Sequence, residues 1–95
     1  MDKFEAEKLL NDSRKKIDEF DDQIINLILE RTSLAKDIIT AKKILNKDLF
    51  DSSREEVIHN KIRNAVADKD INTEKVLEIF DLLADISKEE QKKYL

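Results

Sequence analysis

The stretch FEAEKLLNDSRKKIDEFDDQIINLILERTSLAKDIITAKKIL, residues 4–45, decides the fold. It holds no Gly and no Pro, and its apolar residues recur at helical spacing. Leu10, Ile17, Ile24, Ile38 and Leu45 share one seven-residue register, broken only by Arg31. Phe20, Leu27, Leu34 and Ala41 form the companion seam three residues on. A heptad sustained this long predicts one amphipathic helix, from about Phe4 to about Leu45, packed along another helix. At ~1.5 Å per residue such a helix is a rod of about 60 Å. A compact chain of 95 residues is only about 30 Å across. The chain cannot wrap its own rod, so a second copy has to cover the overhang. A homodimer is expected on length alone.

The rest of the composition narrows the class. Residues 1–95 make one domain, and a core of that size gains from oligomerisation. Charged residues make up 42 % and apolar residues 40 %, which fits exposed amphipathic helices better than a disordered chain. The 22 acidic residues outnumber the 18 basic ones, net −4, and no Lys/Arg stretch is dense enough for a nucleic-acid face. The absence of Cys excludes disulfides and thiolate metal sites. Residues 1–15 are charged throughout and read as no signal peptide; no apolar run approaches the ~20 residues of a membrane span. A soluble cytoplasmic protein is expected.

Downstream of the rod, Asn46 is suited to the left-handed conformation that ends a helix where Gly is lacking. A second, short helix is expected from Asp51 or Ser52, with Ser52/Glu55 and Ser53/Glu56 each spaced as a capping box. Val57, Ile58, Ile62, Ala65 and Val66 supply its apolar stripe. Asn72 or Thr73 caps a third, medium helix carrying Val76, Leu77, Ile79, Phe80, Leu82, Leu83 and Ile86. The expected architecture is therefore all-α: long, short and medium helix.

Several polar residues do not fit that scaffold. Arg31 occupies a position that the heptad reserves for an apolar side chain. Lys42 lies eleven residues on, which at ~100° per residue is ~20° around the helix and ~16 Å along it. The two cations share a face beside the seam; the ordinary account is that each reaches solvent or meets a partner-chain carboxylate. Arg14 lies about 25 Å before Arg31 on a straight helix. It is an ordinary surface arginine unless a partner helix runs antiparallel, when it nears Arg31 and Lys42 of the other chain. Asp51, Arg54 and Glu55 read as an acidic cap and first turn. Ser87 and Gln91, one turn apart, read as a solvated helix end. His59, the single histidine, is a surface residue with Glu55 as its i−4 partner. There is no Gly-rich phosphate loop, no metal-spaced cluster and no Ser/His/Asp set. Chemistry on this chain would be electrostatic, without a nucleophile or a metal.

In combination the same residues resemble the all-helical chorismate mutase family. The pattern runs from Ser13-Arg14-Lys15-Lys16-Ile17-Asp18 and Asp21, through Leu29-Glu30-Arg31, Leu34-Ala35 and Ala41-Lys42, to Asp51, Arg54 and Glu55, then Ser87 and Gln91. It covers nearly the whole chain, with eight polar positions in order and at family-like separations. Relatives often carry Gly or Pro in the loop before the short helix; residues 46–50 have neither.

The resemblance implies an intertwined homodimer with antiparallel long helices and two shared active sites. It implies the rearrangement of chorismate to prephenate, on the route to phenylalanine and tyrosine, with no cofactor and no metal. By the same resemblance, Arg31 and the partner chain's Arg14 hold the substrate carboxylates. Lys42 meets a carboxylate and the ether oxygen, and Gln91 donates to that oxygen. Glu55 and the backbone at Asp51 bind the ring hydroxyl, and Ser87 and Arg54 complete the carboxylate side. The rival readings are an isochorismate-pyruvate lyase on the same fold, a non-catalytic helical dimerisation or regulatory module, and a designed family member that turns over poorly. The Arg54-Glu55 pair looks more like the mutase than the lyase. An unpaired cation in an apolar seam is costly for a mere scaffold.

Overall fold

A computed structural model describes residues 1–95 and contains helices only: α1 (Lys3–Ser33), α2 (Ala35–Ile44), α3 (Ser52–Val66) and α4 (Thr73–Lys92). The expected order of long, short and medium helix holds, with one difference. The first helix is interrupted at Leu34, so that it runs as α1 and α2. Leu34 keeps right-handed helical angles, φ −80° and ψ −8°. Its N–H closes a tighter turn onto Arg31 O at 3.3 Å, before the i−4 pattern resumes from Ile38 N to Leu34 O. Neither Ser33 nor Leu34 is a helix breaker, so nothing in the residue types marks the spot. Immediately after it the chain starts to bury side chains, Ala35 and Ile39 first.

Residues 1–30 and 31–95 form two compact units. In the first, Asp2 caps α1 by accepting from Glu5 N at 2.7 Å. No side chain of α1 is buried. Its heptad residues Leu10, Ile17, Phe20, Ile24 and Leu27 are each about half exposed or more.

In the second unit α4 is central, and α2 and α3 each pack on it. The core is small: Ala35 and Ile39 from α2, Ile62 from α3 and Leu77 from α4. Asn46 takes the left-handed conformation expected of it, φ 57°. Asn46 N bonds Lys43 O at 3.2 Å and Lys47 N bonds Lys42 O at 2.8 Å, the paired closure that ends a helix when a left-handed residue follows it. Asn72 caps α4 through Lys75 N. At α3 neither Ser-based box forms. Asp51 is the N-cap, its carboxylate accepting from Arg54 N at 3.0 Å; an ionised acceptor one residue earlier takes the role from the hydroxyls. Glu55 is thereby released from capping.

Ile39 is 2 % exposed, so Ile39→Ala should lower unfolding stability by about 2–5 kcal/mol. Urea unfolding at fixed protein concentration checks this; a change under half that range would mean the core closes over the gap.

Candidate active site

Three helical faces within residues 31–95 converge on a cavity of about 440 Å³. Arg31, Leu34, Ile38 and Lys42 come from one face. Leu49, Asp51, Arg54, Glu55 and Ile58 come from the loop and the start of α3, and Ala84, Ser87, Lys88 and Gln91 from α4. Within the helices the lining residues recur at three- and four-residue steps, which align side chains on one side; Leu49 joins them from the loop. Seven of the eight polar positions singled out above line this cavity: Arg31, Lys42, Asp51, Arg54, Glu55, Ser87 and Gln91. The eighth, Arg14, lies exposed in the other unit, among residues 1–30, and is not part of the lining.

Two polar side chains of the lining are buried. Ser87 and Gln91 are the only buried polar residues of the chain, Gln91 at 3 % exposure. Taken alone the pair suggests a solvated helix end; the structure instead buries both side chains on the cavity side. Gln91 Nε2 donates to Ser87 Oγ at 3.0 Å, and Gln91 Oε1 accepts from Lys42 Nζ at 2.9 Å. Lys42 also donates to Leu49 O at 2.7 Å. Arg31 Nη1 donates to Leu83 O at 3.0 Å. No buried side-chain polar atom lacks a partner.

Both part-buried cations are therefore anchored by neutral acceptors. No ion pair in the chain involves Arg31 or Lys42. Carbonyl and amide oxygens fix a cation's position without cancelling its charge, so the positive potential remains for a ligand. Lys42 has spent two of its three N–H donors. Counting side chains, Arg31, Lys42, Arg54 and Lys88 face Asp51 and Glu55, an excess of two positive charges in a chain of net −4.

The expected Glu55–His59 pair is also corrected. His59 Nε2 meets Asp81 Oδ1 across the α3–α4 interface at 2.5 Å. Glu55 Oε1 instead accepts from Lys88 Nζ at 2.9 Å. Lys88 is further placed 3.6 Å from Asp85 and 4.9 Å above the Phe50 ring. The hydrogen bond to Glu55 holds the Lys88 ammonium above the usual lysine range, outweighing partial burial. Sequence reasoning missed Lys88. The signal was available: residues 84, 87, 88 and 91 form one helical face, and Lys88 stands between Ser87 and Gln91 on it. No group of three or more His, Asp or Glu side chains is arranged to hold a metal ion.

The family model described as chorismate mutase type II matches residues 13–92. A chorismate mutase of Methanocaldococcus jannaschii is 40 % identical over 86 residues, covering 90 % of this chain and 87 % of that protein. No solved structure gives a significant match. The span of the family match and the identity to that relative show that this chain belongs to the chorismate mutase type II family.

Proposed function

We propose that the protein is a chorismate mutase, an isomerase of aromatic amino-acid biosynthesis that converts chorismate to prephenate. The observation that carries the proposal is the cavity lined by Arg31 and Lys42, neither paired with a carboxylate, in which Lys42 donates to the buried Gln91. The substrate is a dianion, and the excess of two positive charges around the cavity suits it.

The reaction is one pericyclic step: the ether C–O bond breaks as a C–C bond forms, and no proton is transferred. Two gains are open to such a pocket. Arg31 and, from a second protomer, Arg14 would grip the carboxylates in bidentate fashion, which suits a planar guanidinium. That grip would hold the enolpyruvyl arm over the ring and remove part of the entropic barrier. Lys42 would place its remaining N–H on the ether oxygen, and Gln91 would add an amide N–H. Negative charge grows on that oxygen as the C–O bond lengthens, and donors already in position stabilise it. Glu55 and the backbone at Asp51 would take the ring hydroxyl, with Ser87 and Arg54 beside a carboxylate.

The working unit we propose is a homodimer with antiparallel long helices, each site completed by the partner's copy of residue 14, and all 95 residues serving one catalytic unit. The half-exposed apolar seam of α1 supports this, since so long a hydrophobic stripe left in water is unfavourable. No helix is long and apolar enough to cross a membrane; the cytoplasm is the compartment we assign.

The test is loss of chorismate absorbance with purified protein and no added cofactor, with isochorismate in a parallel reaction. Turnover of chorismate to prephenate is expected. Release of pyruvate from isochorismate with no action on chorismate would overturn the reading in favour of the lyase. Inactivity on both would leave a helical module.

A further inference from the structure

Of the four basic side chains around the cavity, only Lys88 is ion-paired. Its ammonium is held on three sides: by Glu55 at 2.9 Å, by Asp85 at 3.6 Å and by the face of Phe50 at 4.9 Å. Both members of the Glu55 pair are partly buried, with side chains 24 % and 30 % exposed. The bond commits Glu55 Oε1 and leaves the other carboxylate oxygen for another donor.

Glu55 on its own would be poorly suited to this cavity. A glutamate in the first turn of a helix samples several rotamers, and its charge repels an anionic ligand. A fixed counter-cation removes both problems. Phe50 belongs to the segment leading into α3, so the same lysine joins that segment, α3 and α4 at the cavity's rim.

We infer that Lys88 is a positioning residue for hydroxyl recognition: it holds Glu55 by one oxygen and offsets its charge, so that the other oxygen accepts the ring hydroxyl of an anionic substrate. The inference rests on the proposed chorismate reading and concerns affinity, not the bond-breaking step. Lys88 does not reach the reacting atoms; it acts through Glu55.

The experiment is a double-mutant cycle on chorismate turnover with Lys88→Met, Glu55→Gln and the double variant, plus Lys88→Arg. Lys88→Met should raise KM by about tenfold and leave kcat within about threefold, the pattern of lost ground-state binding. Lys88→Arg, which can still bridge to Glu55, should recover most of that loss. The double variant should be no worse than the poorer single one, because the two changes remove the same interaction. Effects that multiply would overturn the inference, as would a fall in kcat at constant KM. A lower melting temperature with unchanged KM would show a merely structural lysine and overturn it as well. Should Lys88→Met fail to fold, Lys88→Gln carries the same cycle. Wild-type protein that neither binds nor converts chorismate would remove the proposed function itself, a result distinct from any of these.

Discussion

Lys42→Ala should lower kcat for chorismate by about 10²–10³-fold, or more if the lost charge adds to the lost hydrogen bond, while the protein stays folded. That range corresponds to about 3–4 kcal/mol of transition-state stabilisation. The stability term is smaller. Lys42 gives one bond to Leu49 O and one to Gln91 Oε1. Removing it leaves Gln91, at 3 % exposure, with an acceptor short of its donor, a loss of about 1–3 kcal/mol. A melting curve and a turnover assay on one preparation separate the two effects. The activity loss should sit in kcat, because charge on the ether oxygen develops only as the bond breaks. Near-normal turnover in the variant would remove Lys42 from the mechanism. A loss confined to KM would reduce it to a carboxylate anchor.

Lys42 also illustrates what the sequence makes legible. Its position follows from helical periodicity: eleven residues after Arg31 returns to the same face, and both residues line the cavity. The helix ends were equally local. Asn46 takes the left-handed turn and Asn72 the cap, because each choice depends on the residue's own backbone preferences and nearest neighbours. What failed to show was set between segments. The tightened turn at Leu34 falls where Arg31 reaches Leu83 and Ala35 becomes buried, contacts some 50 residues away in the chain or dependent on α4. Glu55 has two local suitors, a capping box with Ser52 and an i+4 pair with His59. It takes neither, because Asp51 has already capped α3 and Lys88 arrives from α4. His59 turns to Asp81 for the same reason. Ser87 and Gln91, taken without the resemblance, read as solvated, since polar residues at a helix end usually are. Only the packing of α2 against α4 turns them inward, where Lys42 meets Gln91.

Arg14→Ala chains and Lys42→Ala chains, each inactive as a homodimer, should regain activity when mixed. In the proposed dimer each site takes Lys42 from one protomer and Arg14 from the other. A mixed dimer then has one site with both residues intact and one site with neither. Random re-association gives about half mixed dimers with one working site each, so about a quarter of wild-type activity should return. The physical basis is distance. On a straight helix residues 14 and 31 stand about 25 Å apart, beyond the reach of one small dianion. Arg14 belongs to the unit of residues 1–30, whereas the cavity is built wholly from residues 31–95. The α1 seam, with Phe20 61 % and Leu27 62 % exposed, is the surface on which the second copy would lie. Co-expression with two different affinity tags isolates the mixed dimers and raises the expected value to about half, one intact site of two. Tandem-purified mixed dimers with no activity above the parents would rule out a guanidinium shared across protomers. A working Arg14→Ala homodimer would remove that arginine from the site altogether.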